Sequence, residues 1–207
     1  MSSPWHHRLP IFAAALGLLG CTPQLGEFRG FETVESEWGF GELEARGVCI
    51  FDGDRDGDSD VLLVGVGNDL YFENVAPGEF EERGAELGLD SPGNGLGCAV
   101  GDLDRDGHDD VVVTDNSGPT RVLMGLPSGI WADRTASLGL DSNQGQSTVL
   151  LEDVDRDGLL DLLLCGIQDG QSRLWRNIDG SSFEDRTEAL GVGEVQRSWG
   201  AAFFDAD

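Results

Sequence analysis

The sequence predicts an all-β chain made of β-propeller blades, each of four antiparallel strands, with about three and a half repeats of 50–52 residues forming a partial propeller. Three observations carry this. An acidic nine-residue pattern, D-x-D-x-D-G-x-x-D, starts at residues 52, 102 and 153 and begins again at 205. In phase with it, an aromatic residue is followed eight positions later by glycine, at Phe31 and Gly39, Phe80 and Gly88, Trp131 and Gly139, and Phe183 and Gly191. The 31 glycines in 207 residues mark many turns and short strands. Self-similarity at this period, with several short strands per repeat, is the sequence signature of propeller blades.

Taken in order, residues 1–20 stand apart from the repeats. Trp5 to Arg8 form a weakly basic leader, and Ile11 to Leu19 an apolar stretch too short to span a bilayer. Leu18-Leu-Gly20-Cys21 follows, and the whole resembles a bacterial lipoprotein signal peptide. The resemblance implies cleavage before Cys21, which then carries lipid and ties an exported protein to a bacterial membrane, at the outer membrane or at a surface or periplasmic face. Thr22 after the cysteine favours the outer membrane, by the same resemblance. The alternative is an ordinary secretory signal cleaved after Gly20. Residues 21–30 are rich in turn residues, lack an apolar period and read as a tether. Residues 31–207 hold the repeats.

Within one repeat the strands can be placed from the second copy. Gly97 to Val100 lead into the acidic loop and Asp110 to Thr114 leave it. Thr120 to Met124 follow the turn Ser117-Gly-Pro119, and Ile130 to Arg134 follow Pro127-Ser-Gly129. Leu70 to Asn74 and Leu174 to Asn177 are the matching third strands of the other copies. The strand after each loop is apolar on both faces, as expected where a blade packs against a neighbour on either side.

The loops carry the chemistry. Their carboxylates at positions 1, 3, 5 and 9 are Asp52, Asp54, Asp56 and Asp60, then Asp102, Asp104, Asp106 and Asp110, then Asp153, Asp155, Asp157 and Asp161. So many charges can converge only around a hard cation that takes six or more oxygens at about 2.3–2.6 Å, and calcium is the natural ion. Glycine at position 6 permits the reversal that aims the carbonyl of position 7 inward, at Asp58, His108 and Leu159. The helix–loop–helix version of such a loop is excluded. Its Glu at position 12 is replaced by Leu63, Val113 and Leu164, and apolar strands follow where a helix is required. Three complete calcium sites are expected, with Asp205 and Asp207 opening a fourth that the given residues do not close. The further expectation is that these residues are the N-terminal part of a longer propeller, or a frame cut short, and that the two end blades expose apolar faces.

The loops on this period, with the trailing segment Phe183-Glu-Asp-Arg-Thr-Glu-Ala-Leu-Gly191, resemble the FG-GAP/VCBS repeats, and most closely those of proteins related to the cartilage acidic protein group. The resemblance spans about residues 31–207 and implies a calcium-bearing propeller with the loop aspartates as ligands. The Gly-Ala-Pro half of the FG-GAP signature is absent.

Other chemistries are poorly served. The chain has no lysine, which excludes Schiff-base and P-loop mechanisms. His108 is the one histidine beyond the leader and sits where a metal loop uses backbone. Glu86 and Glu188 read as solvated rather than as a glycosidase pair. A net charge of −26 argues against nucleic acid as a partner and against any membrane contact except through a lipid anchor. Arg55, Arg105 and Arg156 at loop position 4 are expected to point outward. Cys49 and Cys98 lie three and four residues before their loops, so strand alternation sends them to opposite faces. Buried small hydrophobes are the favoured role for them and for Cys165, with a Cys49–Cys98 bridge as the alternative. The functional expectation is a non-catalytic, surface-anchored module, stapled by calcium, that binds a protein or glycan. The alternative is part of a propeller enzyme acting on polysaccharide.

Overall fold

The computed structural model describes residues 45–77, 79–140, 145–167, 171–192 and 198–203. The leader, Cys21, the first aromatic–glycine pair and Asp205 and Asp207 lie outside these residues. Blade one comprises β1 (Ala45–Phe51), β2 (Asp60–Asn68), β3 (Leu70–Ala76) and β4 (Glu79–Glu82). A single helical turn, α1 (Gly84–Leu87), leads to blade two: β5 (Pro92–Gly101), β6 (Asp110–Asp115), β7 (Arg121–Gly125) and β8 (Trp131–Asp133). Blade three holds β9 (Gln146–Glu152), β10 (Asp161–Gly166), β11 (Arg173–Asn177) and β12 (Phe183–Asp185). All neighbouring strands pair antiparallel, and the blades make a partial β-propeller, as the repeat pattern predicts. No helix among the described residues is long and apolar enough to cross a membrane.

Blades one and two are not separate sheets. The nine-residue β2 overhangs its partners, and its end pairs with the start of the ten-residue β5 through Val66 with Asn94, Gly67 with Gly93 and Asn68 with Pro92. Glycine makes this proximity feasible, since a Cβ on Gly47 of β1 would lie 2.9 Å from the Cα of Gly97 in β5. Blade three remains a four-stranded sheet of its own.

The unalternating apolar run after each loop has its reason in the packing. In β6, Val111 and Val113 enter a core with Leu62, Val64, Tyr71 and Trp131, whereas Val112 enters a second core with Val149, Leu162 and Leu164. Successive side chains leave a strand on opposite faces, so a middle blade must be apolar on both. Phe51, Tyr71 and Trp131 form a three-ring contact at the first junction, with centroids 5.8–6.1 Å apart. The outward face of blade one is not bare: Val61, Leu63 and Phe72 are buried with Val48, Leu70 and Phe80 packed against them. The expected exposed apolar face is therefore corrected at this end.

The aromatic–glycine motif is the return between blades. Gly88, Gly139 and Gly191 all adopt left-handed backbone. The residue after each donates its N–H five residues back, Leu89 to Gly84, Leu140 to Thr135 and Val192 to Thr187. Leu89 and Leu140 then drop into the cores. Beyond the third return, Ser198 donates to the carbonyl of Gly166 at 2.8 Å, and Ser147 and Thr148 of β9 donate to the carbonyls of Ser198 and Trp199.

The cysteines require a second correction. Cys49 and Cys98 are joined by a disulfide, with Cα atoms 6.0 Å apart, and Cys165 is free and buried. They do leave opposite faces of their own blades. In stacked blades, however, opposite faces of neighbours are the ones that meet, so strand alternation brings the two sulfurs together.

Candidate metal centres

Each acidic loop connects the first two strands of its blade, so the three loops recur at the same end of the fold. Position 6 takes left-handed backbone as expected, with φ of 99° at Gly57, 85° at Gly107 and 88° at Gly158. Position 4 does so as well, at Arg55, Arg105 and Arg156, with φ of 60–65°. A non-glycine residue there costs roughly 1–2 kcal/mol, so the loop must be held by other bonds. Its own aspartates hold it. Position 3 accepts the N–H of position 5, position 5 accepts that of position 7, and position 1 accepts that of the glycine, in all three copies.

Position 9 lies at the start of the second strand and is almost fully buried in each copy. One oxygen takes the N–H of loop position 2: Gly53 to Asp60, Leu103 to Asp110, Val154 to Asp161. The other takes an N–H from the third strand: Asn74 at 2.9 Å, Gly125 at 2.8 Å and Asn177 at 2.8 Å. Tyr71 also donates its hydroxyl to Asp60 at 2.5 Å. This carboxylate is thus a staple between loop and sheet, a role that the sequence pattern alone does not distinguish from that of a ligand.

Positions 1, 3 and 9 converge. Asp52, Asp54 and Asp60, then Asp102, Asp104 and Asp110, then Asp153, Asp155 and Asp161 each bring one carboxylate oxygen within 4.8 Å of the others. Two oxygens on one calcium at about 2.4 Å can be no farther apart than twice that distance, so the spacing fits such an ion. The unused lone pairs agree: Asp52 Oδ1, Asp102 Oδ1 and Asp58 Oδ1 are buried without a hydrogen-bond partner, a costly state that a bound cation relieves. Position 5 stands outside the three-oxygen groups. Asp56, Asp106 and Asp157 turn an oxygen to the N–H of Asp58, His108 and Leu159.

The electrostatics reflect the crowding. Lost solvation, then the charges of Asp60, Asp56 and Glu73, raise Asp54 above the usual carboxylate range. Asp58 and Asp104 are raised for the same reasons, solvation first and neighbouring aspartates after it. Burial pushes Asp110 up to about 7 and raises Asp161. Asp157 goes the other way, held low by the N–H of Leu159 and then by Arg176.

Residues other than the patterned aspartates and glycine complete the centres. Arg105 is exposed, as are Arg55 and Arg156, in keeping with the outward direction expected of position 4, but it also donates to the carbonyls of Gly158 at 2.8 Å and Asp157 at 3.0 Å, reaching from loop two onto loop three. Asn177 donates to the carbonyls of Leu103 and Leu160, again joining these two loops. Arg176 pairs with Asp155 and Asp157, and Arg83 pairs with Glu73 at 2.7 Å beside loop one. None of these contacts carries a spacing signal, because each reaches its loop from another strand or blade. His108 and Trp131 line a cleft of about 330 Å³ between blades one and two, and the indole of Trp131 donates to the carbonyl of Asp109 at 2.9 Å.

Comparison with known proteins agrees with this geometry. A family model described as an FG-GAP-like repeat matches residues 52–113 and 102–164. Cartilage acidic protein 1 of Xenopus tropicalis is 30% identical over 128 residues, covering 59% of this chain and 20% of that protein. The chain therefore spans about a fifth of the length of this relative.

Proposed function

Since the chain belongs to the FG-GAP-like repeat family, we propose that it is an exported, lipid-anchored propeller module whose loops hold structural calcium and whose surface binds a protein or glycan. The observation that carries the reading is the set of three convergent carboxylate groups, two of them with a buried, unpartnered oxygen on Asp52 or Asp102. Asp52, Asp54 and Asp60 and their counterparts hold the ion, joined by the carbonyl at position 7. A cation bound there neutralises carboxylates that otherwise repel, so binding and folding are coupled.

The Cys49–Cys98 disulfide supports an oxidising compartment outside the cytosol, in keeping with the leader and with plentiful calcium. The net charge of −26 supports a partner that is not an anionic polymer. Calorimetry of the mature protein tests the metal reading. Excess chelator should lower the melting temperature and added calcium should restore it, with magnesium a poor substitute. A melting curve indifferent to both would reject calcium as a structural ion. The anchor has its own test, because Cys21→Ser should move the protein from the membrane to the soluble fraction without changing its melting.

A further inference from the structure

The three loops share one pattern but not one surrounding. Glu73, Met124 and Arg176 occupy equivalent places in the third strands, each just before the residue whose N–H binds the position-9 aspartate. Loop one thus has a carboxylate beside it and loop three a guanidinium, whereas at this place in blade two Met124 is buried in the core. Loop one also gains Asp58 at position 7, whose Oδ1 is buried and unpartnered, although the nearby Glu73 is itself held by Arg83. Loop two keeps Asp102 Oδ1 unpartnered and has no charge at position 124. Loop three is already satisfied. Arg176 pairs with Asp155 and with Asp157, the latter at 3.1 Å, and Asp153 Oδ1 takes the N–H of Asp157 at 3.0 Å. The guanidinium of Arg105 adds a second positive charge against the same loop.

We infer that the three sites bind calcium with graded affinity, the third most weakly, and that Arg176 sets this grade as a built-in cation which calcium must displace. The inference rests on the calcium reading above. To fill the third site an ion has to release Asp155 from Arg176 and then sit beside that guanidinium. A unit charge a few ångströms from a divalent ion at a protein surface changes its affinity on the order of tenfold or more. Over the range of calcium between the first two affinities and the third, blade three therefore stays closed by its own arginine. The protein then reports calcium level through one blade rather than through the whole fold.

The test is a calcium titration of the mature protein followed by nitrogen-15 NMR, with the loop amides of Gly57, Gly107 and Gly158 each reporting its own site. In the parent, Gly57 and Gly107 should respond first and Gly158 at calcium at least about tenfold higher. Arg176→Met, which copies the residue of blade two, should bring the Gly158 midpoint down toward that of Gly107 and leave Gly57 unchanged. Arg176→Gln should act in the same direction with a polar side chain retained, and Arg176→Lys should keep the weak site. If all three glycines titrate together in the parent, or Gly158 keeps its midpoint in both neutral variants, the inference is overturned while calcium binding stands. If no glycine responds, the calcium reading falls and takes the inference with it.

Discussion

Between blades one and two, three rings close the core, β2 hydrogen-bonds directly to β5, the Cys49–Cys98 bridge crosses the junction, and Arg121 reaches Asp69 at 2.8 Å in a buried ion pair. Between blades two and three the core is mainly aliphatic, and polar links run from Asn177 to Leu103, from Arg105 to Gly158 and from Thr114 to Ser147, the first two reaching the acidic loops. The first junction is held by bonds that no ion controls. The second is held by an aliphatic core, with polar contacts that include two of the acidic loops. Repeats that read alike can thus divide stability between a covalently joined pair and a third unit attached by packing and hydrogen bonds alone.

The largest expected effect is on the covalent link. Removing the bridge by Cys98→Ala should cost about 4 kcal/mol for a loop of 49 residues, read from urea unfolding in calcium, because the unfolded chain regains the freedom that the bridge removed. Hydrogen exchange should show the loss first in blades one and two. Equal loss of protection in blade three would erase the distinction between the junctions.

Next is the buried ion pair. Burial pushes Asp69 up to about 6 even though Arg121 opposes it. An acid with a raised pKa in the fold binds its proton more tightly there than in the unfolded chain. Its contribution is therefore complete below about pH 4 and is lost as pH rises through about 6, by up to about 3 kcal/mol. Comparing parent and Asp69→Asn by denaturant melts from acid to neutral pH should show this slope only in the parent. Parallel curves would contradict the assignment.

Asn177→Ala removes a fully buried amide that donates to two carbonyls and accepts the N–H of Gly180. It should cost about 1–3 kcal/mol and loosen blade three selectively in hydrogen exchange. The smallest effect belongs to Arg105→Ala, whose exposed contacts should be worth under about 1 kcal/mol and fade with salt. A loss several times larger would mean that the loop-to-loop bridge, not the aliphatic core, holds the second junction.

The sequence by itself determined the blade architecture, the positions of the loops and the aromatic–glycine returns. These depend on local periods: apolar runs that leave a carboxylate turn, and glycines at positions of left-handed backbone. It also placed the aspartates at positions 1, 3 and 9 of each loop, because nine residues closing on themselves leave few arrangements. Only the tertiary structure decided which groups meet across blades. Cys49 and Cys98 bond because facing surfaces of neighbours carry opposite strand parity, the exposed Arg105 reaches the next loop, and Arg176 comes to Asp155 from a strand some twenty residues away. A repeat pattern describes one blade at a time. Charges that distinguish three like loops, Glu73 and Arg176 among them, arrive from other strands, where spacing along the chain carries no record of them.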